Sequence, residues 1–455
     1  MRLRNTAGWL AWIAVLCALS AALAYQMLAA EDRSLFLPGE TTSGHHQIEL
    51  ACDACHVDAF GGGEVMQDAC VDCHGDELER ADDSHPRSKF TDPRNADRLA
   101  RLDARWCVTC HVEHQPERTR EMAVTVPADV CFHCHEDIAE DRPSHEGMGF
   151  ETCASAGCHN FHDNRALYED FLLAHAGDET PTRRLNPHRT PEKTAEGHAP
   201  ALLPADADAG GVRADPAILD AWASTAHAGA GVNCTDCHGQ GARWTDEPEL
   251  EACSDCHEGE TEGFLKGKHG MRLDAGLSPM TPARARLTMK SEAAGRSLDC
   301  ASCHGAHEFD TRRAAVDGCL GCHDDQHSRA FKGSPHHELW VAEQAGRAPE
   351  NSGVTCATCH MPRQVHRRGG EALTRVQHNQ NANLRPNEKM IRPVCMSCHT
   401  LAFSIDALAD PELIRNNFSA EPARHVRSIE MAVAREEDAT RPTQGNDPRQ
   451  GEQQR

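Results

Sequence analysis

Twenty-two of the 23 cysteines in this 455-residue chain stand in pairs, and a histidine follows every pair at once. Ten pairs have the spacing C-x-x-C-H. In chain order these are Cys52, Cys55 and His56; Cys70, Cys73 and His74; Cys107, Cys110 and His111; Cys131, Cys134 and His135; Cys234, Cys237 and His238; Cys253, Cys256 and His257; Cys300, Cys303 and His304; Cys319, Cys322 and His323; Cys356, Cys359 and His360; and Cys395, Cys398 and His399. The other pair is wider, CASAGCH, with Cys153, Cys158 and His159. Only Cys17 lies outside the pattern, within an apolar N-terminal stretch.

C-x-x-C-H is the attachment signature of c-type haem. Its two thiols add to the two vinyl groups of one porphyrin, and the adjacent histidine ligates the iron from beneath the ring. The C-x4-C-H version can do the same with a longer loop and resembles a variant found in the small tetrahaem cytochromes of sulfate reducers. The expected cofactors are therefore eleven covalently bound c-type haems. Zinc is the main alternative, because Cys55 to Cys70 and Cys237 to Cys253 leave fourteen and fifteen residues between pairs, close to ribbon spacing. A ribbon has no need of a histidine after every second cysteine, and a disulfide framework would not explain the histidines either. Aromatic residues make up only 4 % of the chain, with two Tyr, so porphyrins would have to fill an interior that side chains cannot.

Each iron needs a second axial ligand to be closed. Of the 30 histidines, the motifs use eleven and leave 19. The favoured distal ligands are His45 or His46, His85, His114, His145, and His162 or His175 in the first block. In the second block they are His227, His269, His307, His327, one of His336 and His337, His378 and His425. His133, His188, His198 and His366 read as bystanders, and the methionines are too irregularly placed to argue for ligation. An iron held by two histidines cycles between its redox states without binding substrate, whereas a catalytic haem needs an open position.

Arg2 and Arg4 precede an apolar stretch from Trp9 to about Ala30. This is an export signal, either cleaved near Ala22-Leu23-Ala24 or retained as an inner-membrane anchor. The expected location is periplasmic, tethered to the inner membrane. A formal charge of −24 argues against nucleic acid as a partner and for redox proteins with basic patches. The motifs divide the chain into a signal segment (1–30), a pentahaem domain (31–175), a Pro-, Ala- and charge-rich linker (176–215), a hexahaem domain (216–435) and a polar, disordered tail (436–455). Cys52 and Cys70, Cys234 and Cys253, and Cys300 and Cys319 recur at eighteen or nineteen residues, an internal repeat of haem pairs. Helices are expected near 164–174, 216–225, 338–345, 405–415 and 426–435, with no run of alternating strands. The fold class expected is mainly α and loop-rich, organised around stacked haems with little or no β-sheet.

The first block is similar to small multihaem electron-transfer cytochromes, including the membrane-anchored quinol-oxidising type. In the second block, HHELW followed by SGVTCATCHMPR, and QHNQNANLRPNEKMIRPVCMSCH, resemble late haem regions of the pentahaem ammonia-forming nitrite reductases and the octahaem hydroxylamine dehydrogenases. That resemblance implies a distal ligand at His378. It carries over neither the C-x-x-C-K haem of the first group, which has no match here, nor the cross-linking tyrosine of the second, since Tyr168 is far from the matching region. Two functions follow: an electron relay between a quinol-oxidising donor and a periplasmic or outer-surface acceptor, or an oxidoreductase acting on a nitrogen or sulfur oxyanion or hydroxylamine at one open haem. In the second case Lys266, Lys268 and Arg272 around His269 would form an anion-binding patch; otherwise they are a solvated basic segment.

Overall fold

The computed structural model describes residues 2–30, 32–58, 63–153, 158–163, 169–179, 200–209, 214–368, 371–384 and 386–440. His188, His198, Tyr168, most of the expected linker, the start of the helix expected at 164 and the tail beyond 440 lie outside them.

The motifs themselves set the local structure. In every C-x-x-C-H site the chain makes one helical turn. Cys70–His74 lies within the helix Gly63–Ala81, and Cys234–His238, Cys300–His304 and Cys356–His360 are short helices of their own. At the other six sites the histidine N–H donates to the carbonyl of the first cysteine, at 2.8–3.0 Å. One turn puts residues i, i+3 and i+4 on a common face, so both thiols and the ring leave the backbone on the same side. The intervening residues help to hold the turn. Asn233 with Asp236, Asp299 with Ser302, and Thr355 with Thr358 form reciprocal caps around three motifs, which satisfies amide groups that a helix start leaves unpaired.

Between these turns the protein is built from short helices and loops, as a mainly α fold. Among the described residues there is one hairpin, Arg363–Arg368 paired antiparallel with Glu371–Val376. Of the expected helices, Pro216–Ala223 and Pro335–Gln344 form close to their predicted places. The stretch predicted as one helix at 405–415 is two, Leu401–Leu408 and Pro411–Arg415. Pro411 cannot continue the first helix, and the Asp410 carboxylate instead caps the second by accepting from the amides of Glu412 and Leu413. The last helix, Ser428–Thr440, runs past the boundary expected at 436.

Among the described residues, buried apolar side chains gather in two clusters. One gathers Leu172, Met390, Ile391, Leu401, Ile405, Leu408 and Ala432, and so joins the first block to the second. Arg435 pairs with Glu169 at 2.7 Å, and the Arg392 guanidinium lies 3.8 Å from the Phe171 ring centroid on the same seam. The smaller cluster is Val316, Leu320 and Phe331, with Trp340 and Cys356 against it.

A second seam runs through residues 41–49. Lys268 Nζ donates to the Ser43 carbonyl at 2.8 Å, Arg272 to that of Gln47 at 3.0 Å, and Arg286 to that of Thr41 at 2.7 Å. His46 Nε2 donates to the Arg284 carbonyl at 2.6 Å. The N-terminal helix Arg2–Leu28 stands apart, with Trp9, Leu10, Trp12 and Val15 exposed, and Thr6–Leu28 is long and apolar enough to cross a membrane.

Candidate haem centres

Numbered by motif order, site 1 is the motif ending at His56 and site 11 the one ending at His399. Among the described residues, ten motif histidines face one second histidine each. In site order the partners are His45 to His74 at 5.8 Å, His162 to His111 at 6.3 Å, His85 to His135 at 6.1 Å and His145 to His159 at 6.3 Å between ring centroids. The second block adds His307 to His238 at 5.8 Å, His227 to His257 at 6.0 Å, His378 to His304 at 6.3 Å and His269 to His323 at 6.2 Å. His327 faces His360 at 6.0 Å and His336 faces His399 at 6.2 Å. Every pair joins one motif histidine to one non-motif histidine, and none is shared.

The spacing is informative. With metal–nitrogen bonds of about 2.0 Å and each centroid about 1.1 Å behind its nitrogen, two imidazoles trans across one iron stand about 6.2 Å apart. The residues present therefore fit haem iron closed by two histidines. Direct coordination of a bare metal ion fits less well, because no group of three or more His, Cys, Asp or Glu able to hold one is found among the described residues. No disulfide joins any of the cysteines.

Hydrogen bonds orient the rings. Nδ1 of His85 donates to the Phe161 carbonyl at 2.5 Å, that of His238 to Thr245 at 2.6 Å, that of His327 to Ile414 at 2.5 Å and that of His378 to Val376 at 3.0 Å. This places the proton on Nδ1 and makes Nε2 the candidate ligating atom, which in His327 lies 3.3 Å from the Asn417 side-chain nitrogen. Burial pushes the protonation of His269 and His360 down to about 4, which keeps them in the neutral form a metal requires.

Glu113, which no sequence signal marked, takes part in the same way. Its carboxylate accepts from His45 Nδ1 at 2.6 Å and from the Thr42 amide and hydroxyl at 2.6 and 2.8 Å. Burial opposes its ionisation, but these hydrogen bonds outweigh burial and hold it at about 2. A carboxylate behind an axial imidazole favours ferric iron. Glu113→Gln is therefore expected to raise the potential of site 2 alone, by about 30–60 mV where 59 mV is tenfold for one electron. Potentiometric titration of the mature protein checks this, and an unchanged set of potentials would refute it.

Thiols of consecutive sites lie side by side. Cys70 and Cys107, Cys131 and Cys153, Cys253 and Cys300, and Cys319 and Cys356 are neighbours that perturb each other's protonation. Cys55 and Cys73, Cys110 and Cys131, Cys237 and Cys253, Cys303 and Cys319, and Cys359 and Cys398 are near enough to act on each other's charge. Burial first, and then these neighbours, push Cys303 and Cys359 up to about 11. The vinyl-bearing edges of porphyrins bonded here would follow one another from site 1 to site 5 and from site 6 to site 11. A continuous cavity of about 5140 Å³ is lined by the motifs of sites 3–11, from Cys107 to His399. Pockets for one small molecule are about 300–1,000 Å³.

Where the sequence left neighbours as alternatives, the structure places only one beside a motif ring. His45 faces His74, while His46 is turned to Arg284. His162 faces His111, while His175 packs on Phe171 and bonds Asp178 at 2.7 Å. His336 faces His399, while His337 accepts from the Gly333 amide. His425 is exposed between Asp406 and Glu430. His133 sits against Phe132, and His366 is in the hairpin opposite Leu373. For His56 no second ring stands at this spacing among the described residues; His114 donates from Nδ1 to the Gly39 carbonyl at 2.8 Å. The basic segment around His269 is consumed in structure. Lys266 pairs with Glu262, Lys268 binds the Ser43 carbonyl, and Arg272 is 5 % exposed and bound to Gln47 and Ser278.

Residues 44–136 match the family model described as cytochrome c3, about a fifth of the chain. No curated protein matches the chain. Together with the motifs and the fold, the match supports a multihaem c-type cytochrome with covalently bound haem iron, a part in electron transfer and, as is typical of such proteins, an extracytoplasmic setting, which the apolar N-terminal helix fits as signal or anchor.

Proposed function

We propose that the chain is an undecahaem cytochrome of the periplasm that relays electrons through irons closed by two histidines, in a respiratory chain. The observation that carries this is the one-to-one matching of motif and non-motif histidines at 5.8–6.3 Å. When bound, haem supplies an iron that alternates between ferrous and ferric states. The chain's own residues attach it, occupy both axial positions, orient the imidazoles through Nδ1 and hold successive sites edge to edge. Sites 1–5 form a pentahaem unit within 31–175 and sites 6–11 a hexahaem unit within 216–435. Thr6–Leu28 tethers both to the inner membrane, where a quinol-oxidising donor delivers electrons, and a periplasmic or outer-surface protein accepts them. The net charge of −24 favours partners with basic docking faces.

Catalysis on a nitrogen or sulfur oxyanion or hydroxylamine is the second reading, and His56 is its foothold, as the motif histidine without a paired ring at this spacing. The likeness of the second block to the nitrite reductase and hydroxylamine dehydrogenase group then describes scaffold rather than chemistry. Intact mass and low-temperature electron paramagnetic resonance of the exported protein decide between the two. Eleven covalent haems with every ferric iron low-spin is the expected result. A stoichiometric high-spin iron together with viologen-driven turnover of nitrite, hydroxylamine or sulfite would replace the relay by the enzyme.

A further inference from the structure

The order in which the chain supplies its paired histidines repeats. In the first block the partner of site 2, His45, precedes the site 1 motif, and that of site 4, His85, lies between the motifs of sites 2 and 3. The partner of site 5, His145, lies between motifs 4 and 5, and that of site 3, His162, follows motif 5. The second block repeats this with each site number raised by five. His227 precedes motif 6 and serves site 7, and His269 lies between motifs 7 and 8 and serves site 9. His327 lies between motifs 9 and 10 and serves site 10, and His378 follows motif 10 and serves site 8. His45 and His227 even stand at the same offset, seven residues before Cys52 and Cys234.

One set of thiol neighbours repeats as well. Sites 2 and 3 and sites 4 and 5 are joined through Cys70 with Cys107 and Cys131 with Cys153. Sites 7 and 8 and sites 9 and 10 are joined through Cys253 with Cys300 and Cys319 with Cys356.

One position remains in the correspondence. Site 6 is paired with His307, three residues after His304 of site 8. The equivalent place in the first block, three residues after His111 of site 3, is His114. Both residues adopt left-handed backbone, with φ of 60° for His114 and 65° for His307, uncommon for any residue but glycine. The Nδ1 of His114 is engaged by the Gly39 carbonyl, as those of His85, His327 and His378 are by carbonyls, which leaves Nε2 to ligate. The fit of this segment is close, since a Cβ at Gly39 would come within 2.7 Å of the His114 carbonyl oxygen.

We infer that sites 1–10 are two copies of one five-haem ligand topology, that His114 is the sixth ligand of the iron held by His56, and that site 11, with His336 and His399, is an addition outside the repeat. This rests on the haem-carrier reading and deepens it, because it closes the position at which an enzyme would need an open iron.

The test uses the exported protein with its haems, as wild type and as His114→Ala, His114→Met and His46→Ala. Wild type is expected to carry eleven haems by mass and no high-spin iron. His114→Ala keeps the haem count and converts one iron of the eleven to high-spin. His114→Met, which can remain six-coordinate should the alanine variant fail to mature, gives one iron with a methionine–iron charge-transfer band. His46→Ala leaves the spectrum unchanged. A high-spin iron in wild type, an all-low-spin spectrum in His114→Ala, no new band in a matured His114→Met, or the appearance of the open iron in His46→Ala instead, would each overturn the assignment. Absence of covalent haem from the wild type would instead overturn the carrier reading itself.

Discussion

Produced in the cytoplasm without residues 1–30, where haem is not attached, the chain is expected to show no cooperative unfolding transition and no near-ultraviolet circular dichroism. The physical reason is the size of its apolar cores. Among the described residues they amount to seven buried members in one cluster and three in the other. Ordering each residue costs about 1–2 kcal/mol in backbone entropy alone, and burial must offset it. Cysteines of the attachment motifs are themselves packed against those clusters. Cys359 and Cys395 pack on the larger and Cys356 on the smaller, so a porphyrin bonded at any of them extends the core directly. The free energy of attaching the cofactor is then also free energy of folding, as in small metal-dependent domains. Calorimetry and limited proteolysis of the two forms provide the comparison. A haem-free chain that melts cooperatively near the temperature of the mature protein would show that side chains alone suffice.

The same dependence explains what could be read from the sequence. The attachment turns were legible because covalent chemistry fixes their spacing, and one helical turn is the local structure that meets it. The choice between adjacent histidines was not. His45 and His46 differ by one position, and what separates them is the Arg284 carbonyl, 238 residues away, which takes His46. His336 and His337 likewise share a helix, and its rotation brings the first onto His399. Helix periodicity gave little guidance, since most helices are only one or two turns long. The hairpin at 363–376 was missed because RQVHRR has no alternation of apolar and polar residues. By contrast, the break at Asp410-Pro411 carried an ordinary cap signal that the apolar run around it obscured. The role of Glu113 depends on a loop 68 residues upstream and has no local signature.

Replacing Arg272 is expected to loosen the seam between the blocks. Its guanidinium donates to the Gln47 carbonyl at 3.0 Å, to the Ser278 carbonyl at 2.9 Å and to the Ser278 hydroxyl at 3.2 Å, all from a nearly buried position. Alanine would leave buried carbonyls without donors, each costing about 1–3 kcal/mol, for a loss of about 3–5 kcal/mol. In a protein of this size that lowers the melting temperature by about 3–5 °C. Lysine keeps the charge but not the forked geometry, so Arg272→Lys should fall between. The functional consequence follows from where the seam lies. Gln47 is two residues from His45 of site 2, and Arg272 is three from His269 of site 9, so the contact joins the ligand loops of the two blocks. With it broken, unfolding should split into two transitions, and reduction through a protein donor should become biphasic, the block holding the entry site filling first. Unchanged melting and a single reduction phase in Arg272→Ala would mean that the blocks are held and coupled elsewhere, along the seam of Leu172, Ile391 and Arg435.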